Sequence, residues 1–324
     1  MLQLLMAAIL LHWHDLPPLP LATSGQFAGV SNGALIVVGG SSFEKPPYDG
    51  GTKQWLDTVF VLEPDAKSWL VFHAPHAMAY GGSVTWKDHL IVAGGSDGRA
   101  NFRDTYRVEW NSGQVAFVPL LPLPVALANC EAALLEDRMY LFGGQQTPTA
   151  TGASNRLLQL DLAHTEKGWT LLEPLPGPAR ILPVFSASGG SLFVFGGAEL
   201  TPHGRRYLTD GWRWNPANGW QPIAAPPFAM VAAPAVAVRQ SIFVFGGDDG
   251  ANASRIDELR DRHPGFSREL YEFLPARQIW SRRAGLPAGL VTTTAVPWRH
   301  NVIIPGGEDR PGHRSARVIS WNPE

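Results

Sequence analysis

Six Gly-Gly pairs recur at nearly even intervals along this chain of 324 residues. The first glycines of successive pairs are 55, 49, 53, 50 and 60 residues apart, and each pair follows a short apolar run typical of a strand. A period of about 50 residues indicates a stacked repeat, because one such unit cannot bury its apolar faces alone. The pairs are Gly39-Gly40, Gly94-Gly95, Gly143-Gly144, Gly196-Gly197, Gly246-Gly247 and Gly306-Gly307.

The second unit shows the pattern within one repeat. It predicts four strands, which are Gly82–Trp86, His89–Ala93, Thr105–Trp110 and Val115–Val118. The Pro-rich stretch 119–124 then leads to the next unit. Proline cannot donate to a strand ladder, so such a stretch belongs between sheets. Six units of four strands predict an all-β, six-bladed β-propeller of the kelch type.

The two ends of the chain are complementary. The last unit predicts strands at Thr292–Pro297, Asn301–Ile304 and Ala316–Trp321, and its fourth strand is missing before Glu324. The segment that starts at His12 has the pattern of a fourth strand followed by its Pro-rich exit. We therefore expect the N-terminal strand to complete the last blade, so that residues 12–324 form a single propeller without exposed edges at the closure.

The first eleven residues leave two interpretations open. The stretch Leu2–Leu11 is apolar but too short to span a bilayer. It is either a remnant of a signal peptide or a loosely packed terminus. A complete signal peptide would have a basic n-region and an Ala-x-Ala site, and this stretch lacks both. We expect a periplasmic or secreted protein, with the cytoplasm as the alternative. The lone Cys130 cannot form an intrachain disulfide and is predicted to be a small buried hydrophobe.

Composition excludes several classes of protein. A hydrophobic content of 45% with 12 tryptophans argues against disorder. A net charge of -2 gives no basic field for nucleic acid. Most units carry a tryptophan in the outermost strand, which predicts packing between blades. These residues are Trp69, Trp169, Trp220 and Trp280.

Repeat geometry places the candidate site at one mouth of the central channel. In kelch proteins the residue after each Gly-Gly pair lies near that mouth, and here these residues are Ser41, Ser96, Gln145, Ala198, Asp248 and Glu308. Glu308 opens a charged segment that ends at Arg314, which from the repeat alone is either a site loop or a solvated loop. The insertion 248–267 predicts a short helix over Arg255–His263, either a lid or a solvated charged helix.

The segment after the last Gly-Gly pair carries a resemblance. Gly307-Glu308-Asp309-Arg310-Pro311-Gly312-His313-Arg314 matches every fixed position of the pattern Gly-Glu-x-x-Pro-Gly-x-Arg. This pattern is the active-site loop of the bacterial N-acetylneuraminate mutarotases, also called epimerases, which are six-bladed kelch propellers. Segments 24–33 and 79–86 resemble stretches late in that family, so the chain resembles its cyclically permuted relatives.

The resemblance implies a sugar mutarotase that accelerates anomer interconversion of N-acetylneuraminate or a related acidic sugar. Glu308 and Arg314 are then the catalytic residues, the first moving a proton and the second holding the sugar carboxylate. Arg310, Asp248 and Gln145 are predicted to contact the substrate, although Arg310 has no counterpart in the family pattern. We expect no cofactor or metal, and no nucleic acid or membrane partner. The alternative is a non-catalytic kelch module that binds a protein or a glycan.

Four other possibilities are weaker. Glu199 and Arg205 have the same separation as Glu308 and Arg314, but no Pro-Gly lies between them in register, so we interpret them as a structural pair. A copper-radical oxidase resembling galactose oxidase needs a Tyr–Cys crosslink with further ligands, and Cys130 has no such cluster beside it. A sialidase needs an arginine triad that is not evident. His12 and His14 share a strand face, yet they are too few for a metal site.

Overall fold

A computed structural model describes residues 13–323 of the chain, and within this range the strands form six four-stranded antiparallel sheets arranged as a β-propeller. The predicted all-β, six-bladed fold is therefore confirmed. The predictions made for residues 1–12 lie outside the described residues. Blade 1 contains Phe27–Ser31, Ala34–Val38, Thr58–Leu62 and Leu70–His73. Blade 2 contains Gly82–Trp86, His89–Ala93, Thr105–Asn111 and Gln114–Pro119, and blade 3 contains Ala128–Leu135, Arg138–Gln145, Leu157–Asp161 and Trp169–Leu171.

The second half of the chain repeats this arrangement and closes the ring. Blade 4 contains Val184–Ser188, Ser191–Phe195, Gly211–Asn215 and Gly219–Ile223. Blade 5 contains Ala235–Val238, Ser241–Phe245, Leu270–Leu274 and Ile279–Arg282. Blade 6 contains Val296–Trp298, Asn301–Pro305, Val318–Trp321 and Trp13–Leu16. The N-terminal strand pairs antiparallel with Val318–Trp321, as the complementary ends predict.

The second strand of each blade contains a run of at least four apolar residues because neighbouring blades cover both of its faces. In Ala34–Val38 all five residues are buried. Alternate side chains of this strand enter two different clusters: Leu35 and Val37 pack with blade 6, and Ile36 and Val38 pack with blade 2. Such two-sided burial requires a continuous apolar run rather than alternation. The core is therefore a ring of clusters between blades.

The Gly-Gly pairs lie where the backbones of neighbouring blades touch. Gly39 and Gly40 both have positive φ, and the Gly40 N–H donates to the Met78 carbonyl at 2.8 Å. A Cβ on Gly39 would lie only 2.0 Å from that carbonyl oxygen, so glycine is required. The same bond recurs from Gly95, Gly144, Gly197, Gly247 and Gly307 to the next blade. The last of these reaches Thr23 and so completes the ring.

The four predicted tryptophans connect their blades to the preceding ones. Trp69 Nε1 donates to the Pro17 carbonyl at 2.8 Å, and Trp220 Nε1 donates to the Glu173 carbonyl at 3.0 Å. The predicted packing role is thus observed. In the last blade, Trp13 of the N-terminal strand lies opposite Trp321. The outer and third strands of blade 4 pair two tryptophans in the same way, with Trp220 opposite Trp214.

Short hairpins and helical turns lie in the loops between the blade strands. Two-stranded hairpins follow three of the Gly-Gly pairs, and they are Ser41–Phe43 with Lys53–Trp55, Ala198–Thr201 with Gly204–Tyr207, and Glu308–Arg310 with His313–Arg314. The 3-10 turns are Pro47–Asp49, Thr165–Lys167, Ala253–Arg255 and Arg260–Arg262. The α-helix spans only Ile256–Leu259. No helix within residues 13–323 is long and apolar enough to cross a membrane.

Two predictions from the sequence, the helix in the blade 5 insertion and the burial of Cys130, can now be compared with the structure. The single helix expected over 255–263 is instead three short turns, because Arg260 has φ of +46° and interrupts the helical backbone. Cys130 is buried in a cluster between blades 2 and 3, as predicted, and burial raises the pKa of its thiol above the usual range.

Candidate active site

The loops at the Gly-Gly end of the propeller surround a cavity of about 620 Å³. Every blade contributes to its lining, and the contributors include Trp55, Ser96, Gln145, Arg205, Asp248 and Glu308. Four of the six residues that follow a Gly-Gly pair therefore line this cavity, which agrees with the convergence predicted from the repeat. The other two, Ser41 and Ala198, are fully buried.

A closed ring of six backbone hydrogen bonds forms the floor of this cavity. Each residue of the ring has positive φ and donates its N–H to the carbonyl of the equivalent residue in the adjacent blade, at distances from 2.6 to 2.9 Å. Every member lies 14 residues before the first glycine of its pair. The hydrogen-bonded ring consists of Gly25, Tyr80, Asn129, Leu182, Ala232 and Thr292.

Glu308 and Arg314 form an ion pair across the hairpin of blade 6. They are direct cross-strand partners, and Arg314 Nη1 contacts Glu308 Oε2. The turn between them brings the Gly312 N–H to Glu308 Oε1 at 2.6 Å. Gly312 has φ of +79°, and a Cβ there would lie 2.5 Å from Pro47. The fixed glycine of the motif is thus a steric requirement for placing the carboxylate.

The Arg314 guanidinium is buried but has unused donors. Its side chain is 5% exposed, and its Cζ lies 4.8 Å from the centre of the Phe43 ring. Among residues 13–323, Nε has no hydrogen-bond acceptor, and the contact of Nη1 with Glu308 is an ion pair without a hydrogen bond. Buried donors without acceptors are costly, so they favour an anionic ligand that can accept from them.

A tyrosine that the sequence analysis did not select lies beside this pair. The Tyr80 hydroxyl is 2.7 Å from Ser41 Oγ, 3.2 Å from Lys53 Nζ and 3.3 Å from Arg314 Nη2. Burial of the phenol opposes its ionisation, but the charges of Arg314 and Lys53 outweigh burial and lower the pKa of Tyr80. The cavity therefore contains a carboxylate, two cations and a phenol that ionises more readily than usual.

The predicted contact residues Asp248 and Gln145 also line the cavity. Asp248 accepts a hydrogen bond from the Tyr207 hydroxyl at 2.8 Å. Burial and the Asp248 charge raise the pKa of Tyr207 above its usual value, so this phenol stays protonated. The Gln145 amide donates to the Thr147 carbonyl at 3.0 Å and thereby holds its own loop. A substrate contact by either residue stays a prediction.

Arg310 does not line the cavity. Its guanidinium turns to the Asp309 carboxylate and, at 3.2 Å, to the Asp261 carbonyl of the blade 5 insertion. The Asp261 carboxylate accepts from Tyr48 at 2.9 Å, and the hydrogen bond from Tyr48 is the main cause of the lowered pKa of Asp261. The insertion thus connects to the blade 1 and blade 6 loops at the rim, and Ile256 reaches the cavity wall.

The pair predicted to be structural, Glu199 and Arg205, is not a pair. Glu199 lies opposite Arg206 in its hairpin, and Arg206 Nε donates to the Glu199 carboxylate at 2.6 Å. Successive strand residues face opposite sides, so Arg205 is directed elsewhere and lines the cavity. Arg205, which the sequence analysis had set aside, therefore adds another cation to the cavity.

A second cavity of about 350 Å³ runs along the axis between the inner strands. It is lined mainly by small side chains, and the charged residue among them is Glu131. Burial raises the pKa of Glu131 to about 8. We call this space the inner channel. Within the part of the chain described, no group of three or more His, Cys, Asp and Glu side chains could hold a metal ion.

The fold and this site define a class: a six-bladed propeller whose axial cavity holds an ion-paired carboxylate and guanidinium. The chain matches a family model described as the KLHDC2/KLHL20/DRC7 kelch-repeats domain over residues 25–247, and it belongs to the kelch-repeat family.

Several named proteins are similar in sequence to this chain. The chain is 25% identical over 222 residues to N-acetylneuraminate epimerase of Haemophilus influenzae strain PittEE, which covers 60% of this chain and 57% of that protein. Against N-acetylneuraminate epimerase 1 of an Escherichia coli O6:H1 strain, identity is 23% over 199 residues, with 61% and 40% covered. The chain thus spans about half the length of these relatives. A human kelch repeat and BTB domain-containing protein 13 matches at 31% over 124 residues, which is 37% of this chain and 26% of that protein.

The fold has a solved counterpart. A structure titled "Structure of YjhT" superposes with a TM-score of 0.72 and covers 95% of this chain and 97% of that one. Its sequence identity is 15%, so the likeness concerns the fold alone.

Proposed function

We propose that this protein is a mutarotase that accelerates the anomer interconversion of N-acetylneuraminate or a related acidic sugar. The observation that carries the proposal is the Glu308–Arg314 pair, in which a cavity-lining carboxylate is in contact with a guanidinium whose donors are not all used. The similarity to proteins named N-acetylneuraminate epimerase supports the same substrate class.

The chemistry suits these two groups. Mutarotation opens a hemiketal ring and closes it on the opposite face of the carbonyl carbon. Glu308 accepts the proton of the anomeric hydroxyl while the ring oxygen is protonated, and the proton returns on closure. Positioned acid–base groups contribute roughly 10²–10⁴-fold. This factor is useful because the uncatalysed reaction already proceeds in water.

Arg314 provides the binding half of the mechanism. An acidic sugar of this type carries its carboxylate on the anomeric carbon, so a guanidinium that holds the carboxylate also positions the reacting centre. A planar guanidinium can donate two parallel hydrogen bonds to a carboxylate. Because Glu308 contacts Arg314, a sugar carboxylate bound by Arg314 would lie close to Glu308, the proposed base.

The proposal is tested by following freshly released α-N-acetylneuraminate by NMR with and without the protein. We expect the α signal to decay faster in proportion to protein concentration. The methyl ester of the same sugar is the matched control, since it lacks the charge that Arg314 would bind, and we expect a much weaker acceleration. A decay rate equal to that in buffer over a wide range of protein and sugar concentrations would overturn the proposal and leave a binding role for the propeller.

A further inference from the structure

Opening a hemiketal ring moves two protons, and the Glu308–Arg314 pair accounts for one. Glu308 accepts the proton of the anomeric hydroxyl, and a second group must protonate the ring oxygen as its bond to carbon breaks. Arg314 cannot serve, because a guanidinium does not release its proton in proteins. Tyr207 is tied to Asp248, which raises the pKa of its phenol. Tyr80 is the neighbouring phenol that remains.

The hydrogen bonds around Tyr80 set the roles of its oxygen and of its proton. Lys53 and Arg314 are donors only, so the Tyr80 oxygen accepts from both, at 3.2 and 3.3 Å. Its own proton is then shared with Ser41 Oγ at 2.7 Å, and a sugar ring oxygen in the cavity would replace Ser41 as the acceptor of that proton. When Tyr80 gives up its proton, the phenolate keeps two cationic donors. Such fixed donors stabilise a charge that develops during a reaction.

The backbone holds this side chain at the cavity floor against its preference. Tyr80 has φ of +63°, a conformation that costs an L-residue roughly 1–2 kcal/mol. The hydrogen-bonded ring maintains it, since the Tyr80 N–H donates to Gly25 and its carbonyl accepts from Asn129. The phenol ring packs edge to face against Trp55 at 5.5 Å. Because every residue of the hydrogen-bonded ring has positive φ, the repeat imposes this conformation, and it places the Tyr80 side chain at the cavity floor.

We propose that Tyr80 is the second proton-transfer residue of the mutarotation, acting opposite Glu308. This inference rests on the proposed function. In ring opening, Glu308 takes the anomeric O–H proton, the bond between the anomeric carbon and the ring oxygen breaks with its electron pair on oxygen, and that oxygen takes the Tyr80 proton. The products are the open-chain ketone, neutral Glu308 and the Tyr80 phenolate. After the carbonyl rotates, the sugar hydroxyl adds to its other face, returns a proton to Tyr80, and the carbonyl oxygen regains the proton from Glu308.

The test compares Tyr80→Phe with Tyr106→Phe in the full-length protein. Tyr106 packs against Phe117 in blade 2, away from the residues that line the cavity, and loses the same hydroxyl without touching the site. We expect Tyr80→Phe to lower kcat for anomer exchange about 100-fold or more while KM changes less than about threefold. We expect Tyr106→Phe to match the wild type. A Tyr80→Phe protein with wild-type kcat, or with a raised KM alone, would overturn the inference.

Two further readouts separate the inference from the proposed function. The wild-type rate should fall on the alkaline side as Tyr80 loses its proton, at a pH below the ordinary tyrosine pKa of 10, and Tyr80→Phe should lack this limb. Phenolate absorption, titrated in the wild type and in Tyr80→Phe, should show one tyrosine ionising below 10 only in the wild type. An alkaline limb that persists unchanged in Tyr80→Phe contradicts the inference even if the wild type is active. A wild type without activity defeats the proposed function itself, and the role of Tyr80 with it.

Discussion

The cavity at the Gly-Gly end and the inner channel lie on the same axis, yet the carboxylate in each has opposite surroundings. In the cavity, Glu308 contacts Arg314 and accepts the Gly312 N–H. In the inner channel, Glu131 lies among small side chains, with no hydrogen-bond or ion-pair partner among residues 13–323, and burial raises its pKa to about 8. The same side chain thus has charged and polar partners in the cavity, whereas in the inner channel it has only the cost of burial.

The difference follows from which elements supply the residues. The inner channel is built from the first strands of the blades, where the repeat dictates small, closely packed side chains. The cavity is built mainly from loops and hairpins after the Gly-Gly pairs, where the six units differ in sequence and charged residues occur. A rigid scaffold with variable loops at one end is a common way to place functional groups. The hydrogen-bonded ring marks the boundary between the two regions.

The sharpest test of this comparison substitutes both carboxylates in the same way. We expect Glu308→Gln to lower the rate of anomer exchange by roughly 10²–10⁴-fold, because the proton acceptor is lost. We expect Glu131→Gln to leave the rate unchanged, because that side chain lies outside the cavity. Exchange NMR measures both, and circular dichroism checks the fold. Equal losses of activity in the two variants would mean that the cavity and the channel are not distinct.

A smaller effect is expected from Arg314→Lys. The charge remains, but a lysine cannot donate two parallel hydrogen bonds to a carboxylate. Hydrogen bonds to charged groups are worth about 1.5–3 kcal/mol, so KM should rise roughly 10- to 100-fold while kcat changes less. Arg317→Lys is the matched control, since Arg317 pairs with Asp15 outside the cavity. An unchanged KM in Arg314→Lys would remove this residue from carboxylate binding.

The boundary itself is tested by two glycine substitutions. Gly25 and Gly33 have φ of +71° and +76°, so alanine is strained at both by roughly 1–2 kcal/mol. At Gly25 a Cβ would also lie 2.5 Å from Tyr80 Cε1, whereas at Gly33 it would meet no atom within 4 Å. We therefore expect Gly25→Ala to lose more stability in urea unfolding than Gly33→Ala and to lose activity as Tyr80 is displaced. Equal stability losses would show that Tyr80 moves aside without cost.

The remaining test concerns the pH dependence of stability caused by Glu131. Burial raises its pKa from 4.5 to about 8 in the folded protein, so the folded state retains a proton that the unfolded chain has released. The contribution to stability is therefore complete below about 4.5 and is lost as the pH rises towards 8. The slope is at most about 1.4 kcal/mol per pH unit.

Glu131→Gln lacks this titration and supplies the control for it. Unfolding measured from pH 5 to 8 should show the wild type losing stability relative to Glu131→Gln as the pH increases. Parallel curves for the two proteins would contradict the difference that we draw between the channel and the cavity carboxylate.

The sequence predicted the parts of this molecule that the repeat controls. The blade number, the closure by the N-terminal strand and the position of Glu308 at the cavity follow from spacing, because every unit must form the same contacts. Lys53 could not be found this way, because it lies in a hairpin inserted into blade 1. Tyr80 had a spacing signal, 14 residues before Gly94, but the residues at this position share no chemical character. Arg205 was set aside because its hairpin register was not known.

The most direct test is a crystal structure of the protein with bound N-acetylneuraminate. We expect the sugar in the cavity at the Gly-Gly end, with its carboxylate on Arg314 and its anomeric hydroxyl within hydrogen-bond reach of Glu308. A sugar bound in the inner channel, on the outer wall, or in the cavity with its anomeric carbon far from Glu308 would contradict it.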